Sequence, residues 1–231
     1  MKYLSACLAL VVTSSYASAD LQECLANTDL NPENRFSHEV LTLENGSPYK
    51  VVNDAATGLQ WGFCFVGQTL SNDQQSCEGV AEVVMDLVPE RQYTPNVREK
   101  TLEVVARENR SMGETNNLWH LPNVKDLLSI YNERCVPAYY PVFSHKIGLT
   151  TEQINELKDT KIDYSLPAAE RKEDTAKNIR GWAYHSMNVS TDSNSPGRYL
   201  FFYTVSFSGH GTPASANQQK YSVMRLVRKK P

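Results

Sequence analysis

Trp119-His120-Leu121-Pro122-Asn123-Val124-Lys125-Asp126-Leu127 is the stretch on which the fold turns. Asn123 is a helix-capping residue, and after it Val124, Leu127, Leu128 and Tyr131 recur at helical spacing on one apolar face. Lys125, Asp126 and Glu133 fall on the opposite, polar side, and Pro137 and Pro141 stop the helix.

On the N-terminal side, Glu39 to Leu43 and Tyr49 to Val52 are strand-like and flank the turn signal Asn45-Gly46-Ser47-Pro48, which predicts a hairpin. A further strand is expected from Leu59 to Val66, after the Thr57-Gly58 turn. Val80, Val83, Val84 and Leu87 have helical spacing, as do Val97, Thr101, Leu102, Val105 and Ala106 beyond Pro95. On the C-terminal side a helix is expected from Thr151 to Lys158, while the polar run from Lys161 to Asn178 reads as a surface insertion. Tyr199 to Phe207 and Tyr221 to Val227 return to strand composition around Ser208-Gly209-His210-Gly211. Strands, then helices, then strands again predict an α+β domain with a mixed or antiparallel sheet drawn from distant parts of the chain.

The first residues carry Lys2, an apolar stretch from Leu4 to Val12 and the small triplet Ala17-Ser18-Ala19, which is the layout of a secretory signal peptide cleaved after Ala19. Thr13, Ser14 and Ser15 interrupt the run far short of the roughly 20 apolar residues of a membrane span. No transmembrane anchor is expected, and the mature chain is assigned to the periplasm or the cell exterior. Removing Lys2 leaves 22 basic against 26 acidic residues, a net charge of −4. That balance excludes nucleic acid as the natural partner, because duplex affinity rests on basic side chains neutralising phosphates. The exception is the C-terminus, where Arg225, Arg228, Lys229 and Lys230 form a short basic tail, expected to be solvated or to contact an anionic glycan or lipid surface.

Cleavage removes Cys7 and leaves Cys24, Cys64, Cys77 and Cys135, an even set suited to two disulfides in an oxidising compartment. Four cysteines allow three pairings, and spacing alone does not choose among them. Cys64 and Cys77 bracket a loop-like stretch, which favours joining them and leaving Cys24 with Cys135. No Cys-x-x-Cys pair exists and no histidine stands at ligand spacing from a cysteine, so no metal is expected. No cofactor motif is found either.

Several segments, taken in order, resemble the Lcl C-terminal domain family of exported bacterial proteins. Val52-Asn53-Asp54 through Thr57-Gly58-Leu59-Gln60-Trp61 is similar to its opening strand and turn. Cys64-Phe65-Val66-Gly67-Gln68 and Ser76-Cys77-Glu78-Gly79 are similar to its cysteine loop, and Trp119 to Leu127 to its Trp-Arg-Leu-Pro segment. Ser129-Ile130 and Cys135 continue it, and Val205-Ser206-Phe207 and Arg225-Leu226-Val227-Arg228 resemble its closing strands. Gly181 to Ser186 echoes the family's Tyr-Trp-Ser-Ser strand only loosely, and Lys146 to Asn178 is longer than usual. The resemblance divides the chain into a signal peptide (1–19), an N-terminal extension with the hairpin (20–50) and an Lcl C-terminal-like domain (51–231). It implies a C-type-lectin-like fold with packed helices, the two favoured disulfides, and the glycan binding or adhesion of some relatives, so the expected partner is a surface glycan, a matrix polyanion or an envelope protein. It carries no catalytic residues to positions here.

Trp61 and Trp119 lie in framework motifs and are expected in the core. Trp182 and Tyr184, in aromatic strand-like sequence, and Arg198, Arg225 and Arg228 are the candidate ligand-binding residues, in or beside the loops between Lys146 and Gly211. Calcium-dependent sugar recognition is not expected: the lectin Glu-Pro-Asn and Trp-Asn-Asp signatures are absent, and Asp73, Asp192 and Asn194 are isolated turn formers. Neither Gly-x-Ser-x-Gly nor His-Glu-x-x-His occurs, and His185-Ser186 are neighbours whose side chains on a strand face opposite ways. Asn45, Asn109 and Asn188 begin glycosylation sequons expected to be silent in a bacterial protein. The leading expectation is an adhesin-like binding module. A structural or accessory component of an envelope assembly is the alternative, and a formylglycine-generating type of enzyme, which needs reactive thiols, a weaker one.

Overall fold

A computed structural model describes residues 22–79, 81, 82, 97–144, 187–193, 202–207 and 223–231. The helix after Trp119-His120-Leu121-Pro122 is α2, Val124–Ser129, and Asn123 caps it as expected. Its Oδ1 accepts from the Asp126 N–H at 2.8 Å while the Asp126 carboxylate accepts from the Asn123 N–H at 2.9 Å. This reciprocal box is worth on the order of 1 kcal/mol. Leu127 is fully buried, but Leu128 is 40% exposed and Ile130 is buried in its place. The helix ends after six residues, and Ile130, its C-cap, supplies the core side chain that Leu128 does not.

The expected hairpin is β2 (Phe36–Thr42) and β3 (Pro48–Asp54), closed by Leu43 N–H to Ser47 O at 2.9 Å with Gly46 at φ 83°. Such a positive φ suits glycine. With β4 (Leu59–Gly62) and β10 (Val227–Lys229) these strands form one antiparallel sheet in the order β10-β4-β3-β2. The boundary drawn between residues 50 and 51 therefore falls inside β3, and the hairpin is part of the sheet. The strand expected over Leu59 to Val66 is regular only to Gly62. Gly62 pairs with Leu226 and Val66 with Met224, so four steps on one strand face two on the other and the ladder breaks.

Alternation along the strands gives the sheet two buried faces. Val51 and Leu226 point to one side, against Val104, Val105 and Met112 of α1 (Val97–Met112) and against Trp119 and Leu121. Val52, Trp61 and Val227 point to the other, against Leu127, Ile130, Phe143, Val205 and Phe207. Helix α1 buries Thr101, Val104, Val105, Asn109 and Met112, whereas Leu102 is 41% exposed and Ala106 is exposed. The buried stripe is thus rotated from the apolar one, because polar Asn109 belongs to it.

Both disulfides have the favoured pairing, Cys64–Cys77 and Cys24–Cys135. The first ties Cys77 of a small ribbon, β5 (Thr69–Leu70) and β6 (Cys77–Glu78), to Cys64 just past β4. The second links directly opposed residues of β1 (Glu23–Cys24) and β7 (Cys135–Val136), two strands the sequence did not signal. Gln22 adds to this anchor by donating to Pro137 O at 2.9 Å and Tyr139 O at 2.6 Å. A second hairpin, β8 (Met187–Ser193) with β9 (Phe202–Ser206), is antiparallel with an irregularity between Val189 and Ser193. β9 falls within the expected Tyr199–Phe207 strand, whereas β8 was not foreseen. The helices expected at 80–87 and 151–158, the insertion at 161–178 and the loop at 208–211 lie wholly or almost wholly outside the described residues. No described helix is long and apolar enough to cross a membrane.

Candidate functional site

Of the candidate ligand-binding residues, Trp182, Tyr184 and Arg198 lie outside the described residues, as do His185, Ser186 and His210. Arg225 and Arg228 are described, and both are buried, at 3% and 7% exposure. The solvated basic tail is confined to Lys229 and Lys230, which are exposed. The two arginines also face opposite sides of the sheet and do not form one patch.

Arg228 shares a face with Trp119. Its guanidinium lies 4.3 Å from the Trp119 ring centre, and its Nε donates to Gln60 Oε1 at 2.8 Å. Nη1 reaches Glu114 Oε1 at 3.1 Å, a nearly buried ion pair. Gln60 Nε2 in turn donates to Asn53 Oδ1 at 3.0 Å, and Asn53 Nδ2 to Glu39 Oε2 at 2.8 Å. A polar chain thus crosses all four strands, from exposed Glu39 on β2 to Glu114 after α1. Each link joins a donor to an acceptor, which is what makes buried amides tolerable.

Arg225 is held on the other face, where among the described residues it meets no carboxylate. Its Nη1 donates to Gly62 O at 2.9 Å and Phe63 O at 2.7 Å, and Nη2 to Phe143 O at 3.4 Å. The guanidinium carbon sits 4.4 Å from the Phe65 ring centre and 5.7 Å from that of Phe143. Full burial pushes its pKa down to about 10, against smaller opposing effects of Tyr139 and Tyr49, so it stays charged at neutral pH. Carbonyl dipoles and ring faces replace the lost water. On the same face the Lys50 ammonium donates to Gln74 O at 2.7 Å and lies 4.2 Å from the Phe63 ring centre. Burial lowers its pKa, with Asp73 opposing. His38 packs edge-on to Phe63 with Nε2 2.7 Å from Val142 O. Burial lowers its pKa too, helped by the Lys50 charge and resisted by the Val142 carbonyl.

These contacts assign the two arginines to holding the sheet together. The sequence missed Gln60 and Glu114 as the partners of Arg228, and Asn53 behind Gln60. The only signal was strand alternation, which would have placed Asn53 and Gln60 on one face once their register was known.

Trp61 and Trp119 are in the core, as expected, at 0% and 1% exposure. Neither indole N–H has a hydrogen-bond partner, so the rings act through their area and π faces. Asn109, which begins the second sequon, is buried and bonded to main chain. Among the described residues no three His, Cys, Asp or Glu side chains gather as a metal site. No family model, curated protein or solved structure matches the chain.

Proposed function

We propose that the chain is an exported binding module of C-type-lectin-like build, similar to the Lcl C-terminal domain family, which recognises a surface glycan or an envelope protein. The observation that carries this reading is the pairing of all four cysteines of the mature chain. No thiol is left among them for the oxidative chemistry of a formylglycine-generating type of enzyme. The same bonds stiffen an α+β framework into which the first mature residues are tied, and a rigid framework favours binding by limiting the entropy lost on association.

The burial of Arg225 and Arg228 moves the ligand away from a polyanion. Their donors are directed to Gly62, Phe63, Phe143, Gln60 and Glu114 and are not offered to a sulfated chain. An uncharged glycan or a protein surface is then the better match. The test is a glycan array probed with the mature chain, residues 20–231, with heparin as competitor. Binding to a restricted glycan set that heparin does not displace supports the reading. Binding that heparin abolishes overturns its uncharged-ligand part. Silence on the array, together with recovery of a stoichiometric partner from envelope fractions, replaces it with a structural component of an assembly.

A further inference from the structure

The two edges of the four-stranded sheet are finished differently. At β10 the segment that opens the helix closes the edge: His120 N–H donates to Val227 O at 2.9 Å and Val227 N–H to His120 O at 2.8 Å. Asn117 Nδ2 covers the next outward carbonyl, Lys229 O, at 2.9 Å.

At β2 the phase of the ladder shows which groups face out. Ala55 N–H donates to Arg35 O and Leu43 N–H to Ser47 O, both at 2.9 Å and both between directly opposed residues. Hydrogen-bonded pairs alternate along an antiparallel ladder. Odd-numbered residues of β2 therefore bond to β3, and Phe36, His38, Val40 and Thr42 turn their main chain outward. Phe36 is capped, its N–H donating to Asn31 Oδ1 at 2.8 Å and its carbonyl accepting from Asn31 Nδ2 at 2.9 Å. The main chain of His38, Val40 and Thr42 has no such cover among the described residues. All three residues are exposed, with Val40 at 41%.

We propose that this edge pairs with the same edge of a second copy, antiparallel, about a twofold axis through Val40. A seven-residue strand with open donors and acceptors is a template for another strand unless something covers it. The identity of the occupant follows from the symmetry of the open window. An axis at Val40 sets Val40 against Val40 and His38 against Thr42, so every uncovered residue enters a pair that exchanges both N–H···O bonds. Glu39 then faces Leu41, and no like charges meet. Shifting the axis to Glu39 opposes two carboxylates, which is destabilising. Shifting it to His38 sets Val40 against Phe36, whose edge Asn31 already occupies. With the axis at Val40, paired residues share a face, so the sheets of the two copies join into one and the exposed Val40 side chains bury each other. This assembly is independent of which ligand the module takes.

The test is sedimentation of the disulfide-intact mature chain over a micromolar concentration series, with three variants. Wild type is expected to form a dimer. Val40→Glu, which opposes two carboxylates at the axis while facing Lys50 across the β2–β3 ladder, should halve the sedimenting mass. Val40→Cys should cross-link under non-reducing conditions, because the Cα atoms of a hydrogen-bonded pair lie about 5.5 Å apart, within disulfide reach. Thr42→Cys should not, since the two Thr42 positions lie roughly 14 Å apart along the strands. A monomeric wild type overturns the proposal. So does a dimer that Val40→Glu leaves intact, or one that cross-links as readily through Thr42→Cys.

Discussion

Replacing Asn109 with alanine should unseat Trp119. The Asn109 amide mimics a strand neighbour: its Oδ1 accepts from the Trp119 N–H at 2.8 Å and its Nδ2 donates to Trp119 O at 2.8 Å. A third bond, to Val105 O at 3.0 Å, fixes the amide against its own helix. Asn109→Ala leaves a buried N–H and a buried C=O on Trp119 without partners, at about 1–3 kcal/mol each. Alanine is the better helix former by roughly 0.6 kcal/mol, which offsets part of that loss. The net cost is about 1.5–5 kcal/mol, a large share of the roughly 5–15 kcal/mol that holds a domain folded. For a chain of this size it lowers Tm by about 3–20 °C. Urea unfolding followed by Trp fluorescence measures it as a fall in midpoint at unchanged slope. The control is Asn116→Ala, at an exposed position where surface changes stay within about 0.5 kcal/mol. If Asn109→Ala costs no more than that control, the amide does not hold Trp119 and the reasoning fails.

The remaining expectations concern charge and covalent bonds. Burial pushes the Asp54 carboxylate up, but Arg35, the Thr57 hydroxyl and the Ala56 N–H outweigh it and hold the pKa below the usual range. Its stabilisation is therefore complete above the unfolded value of about 4 and is lost as pH falls through the lower folded value. Asp54→Asn should flatten the acid limb of the stability curve, and an unchanged limb counts against the pair. Arg225→Met removes the guanidinium donors that meet the Gly62 and Phe63 carbonyls, a loss of about 1–3 kcal/mol or more, and leaves the heparin affinity of the folded protein as it was. A fall in heparin affinity at full stability would return Arg225 to the ligand site. Removing Cys24–Cys135, which spans 111 residues, should cost more than removing Cys64–Cys77, which spans 13. Loop-closure entropy puts the two at about 4.7 and about 3 kcal/mol, and a reversed order in chemical denaturation contradicts that account.

How much of the fold is legible follows from the range of the forces that set each element. The Asn123 cap, the Gly46 turn and the β2–β3 hairpin depend on residues within a few positions of one another, and the sequence displays them. The ends of β4 and β10 do not, because the break after Gly62 depends on a two-residue mismatch against a strand more than 150 positions away. Strands β1 and β7 are two residues each and carry no periodicity. They are held by Cys24–Cys135 and by the Gln22 amide. Asn109 shows the limit in α1: an apolar stripe cannot count a buried amide, so it selected Leu102 and Ala106 in place of Val104 and Met112.

The candidate site was less legible, for a reason that lies in strand geometry. Arg225, Arg228, Lys229 and Lys230 look like one basic cluster on paper because charge is counted along the chain. Side chains on extended backbone alternate, so residues three apart face opposite sides. Arg225 therefore joins Phe65 and Phe143 while Arg228 joins Trp119 and Gln60. Burial then decides what each charge does. A guanidinium in water is free to bind a sulfate, but one whose donors already meet carbonyls must break those bonds first, at about 1–3 kcal/mol for each carbonyl left unpaired. A new ion pair in the screened solvent outside gains no more than about 1 kcal/mol in return. Polyanion capture through these two arginines is therefore uphill, whatever the net charge of the tail.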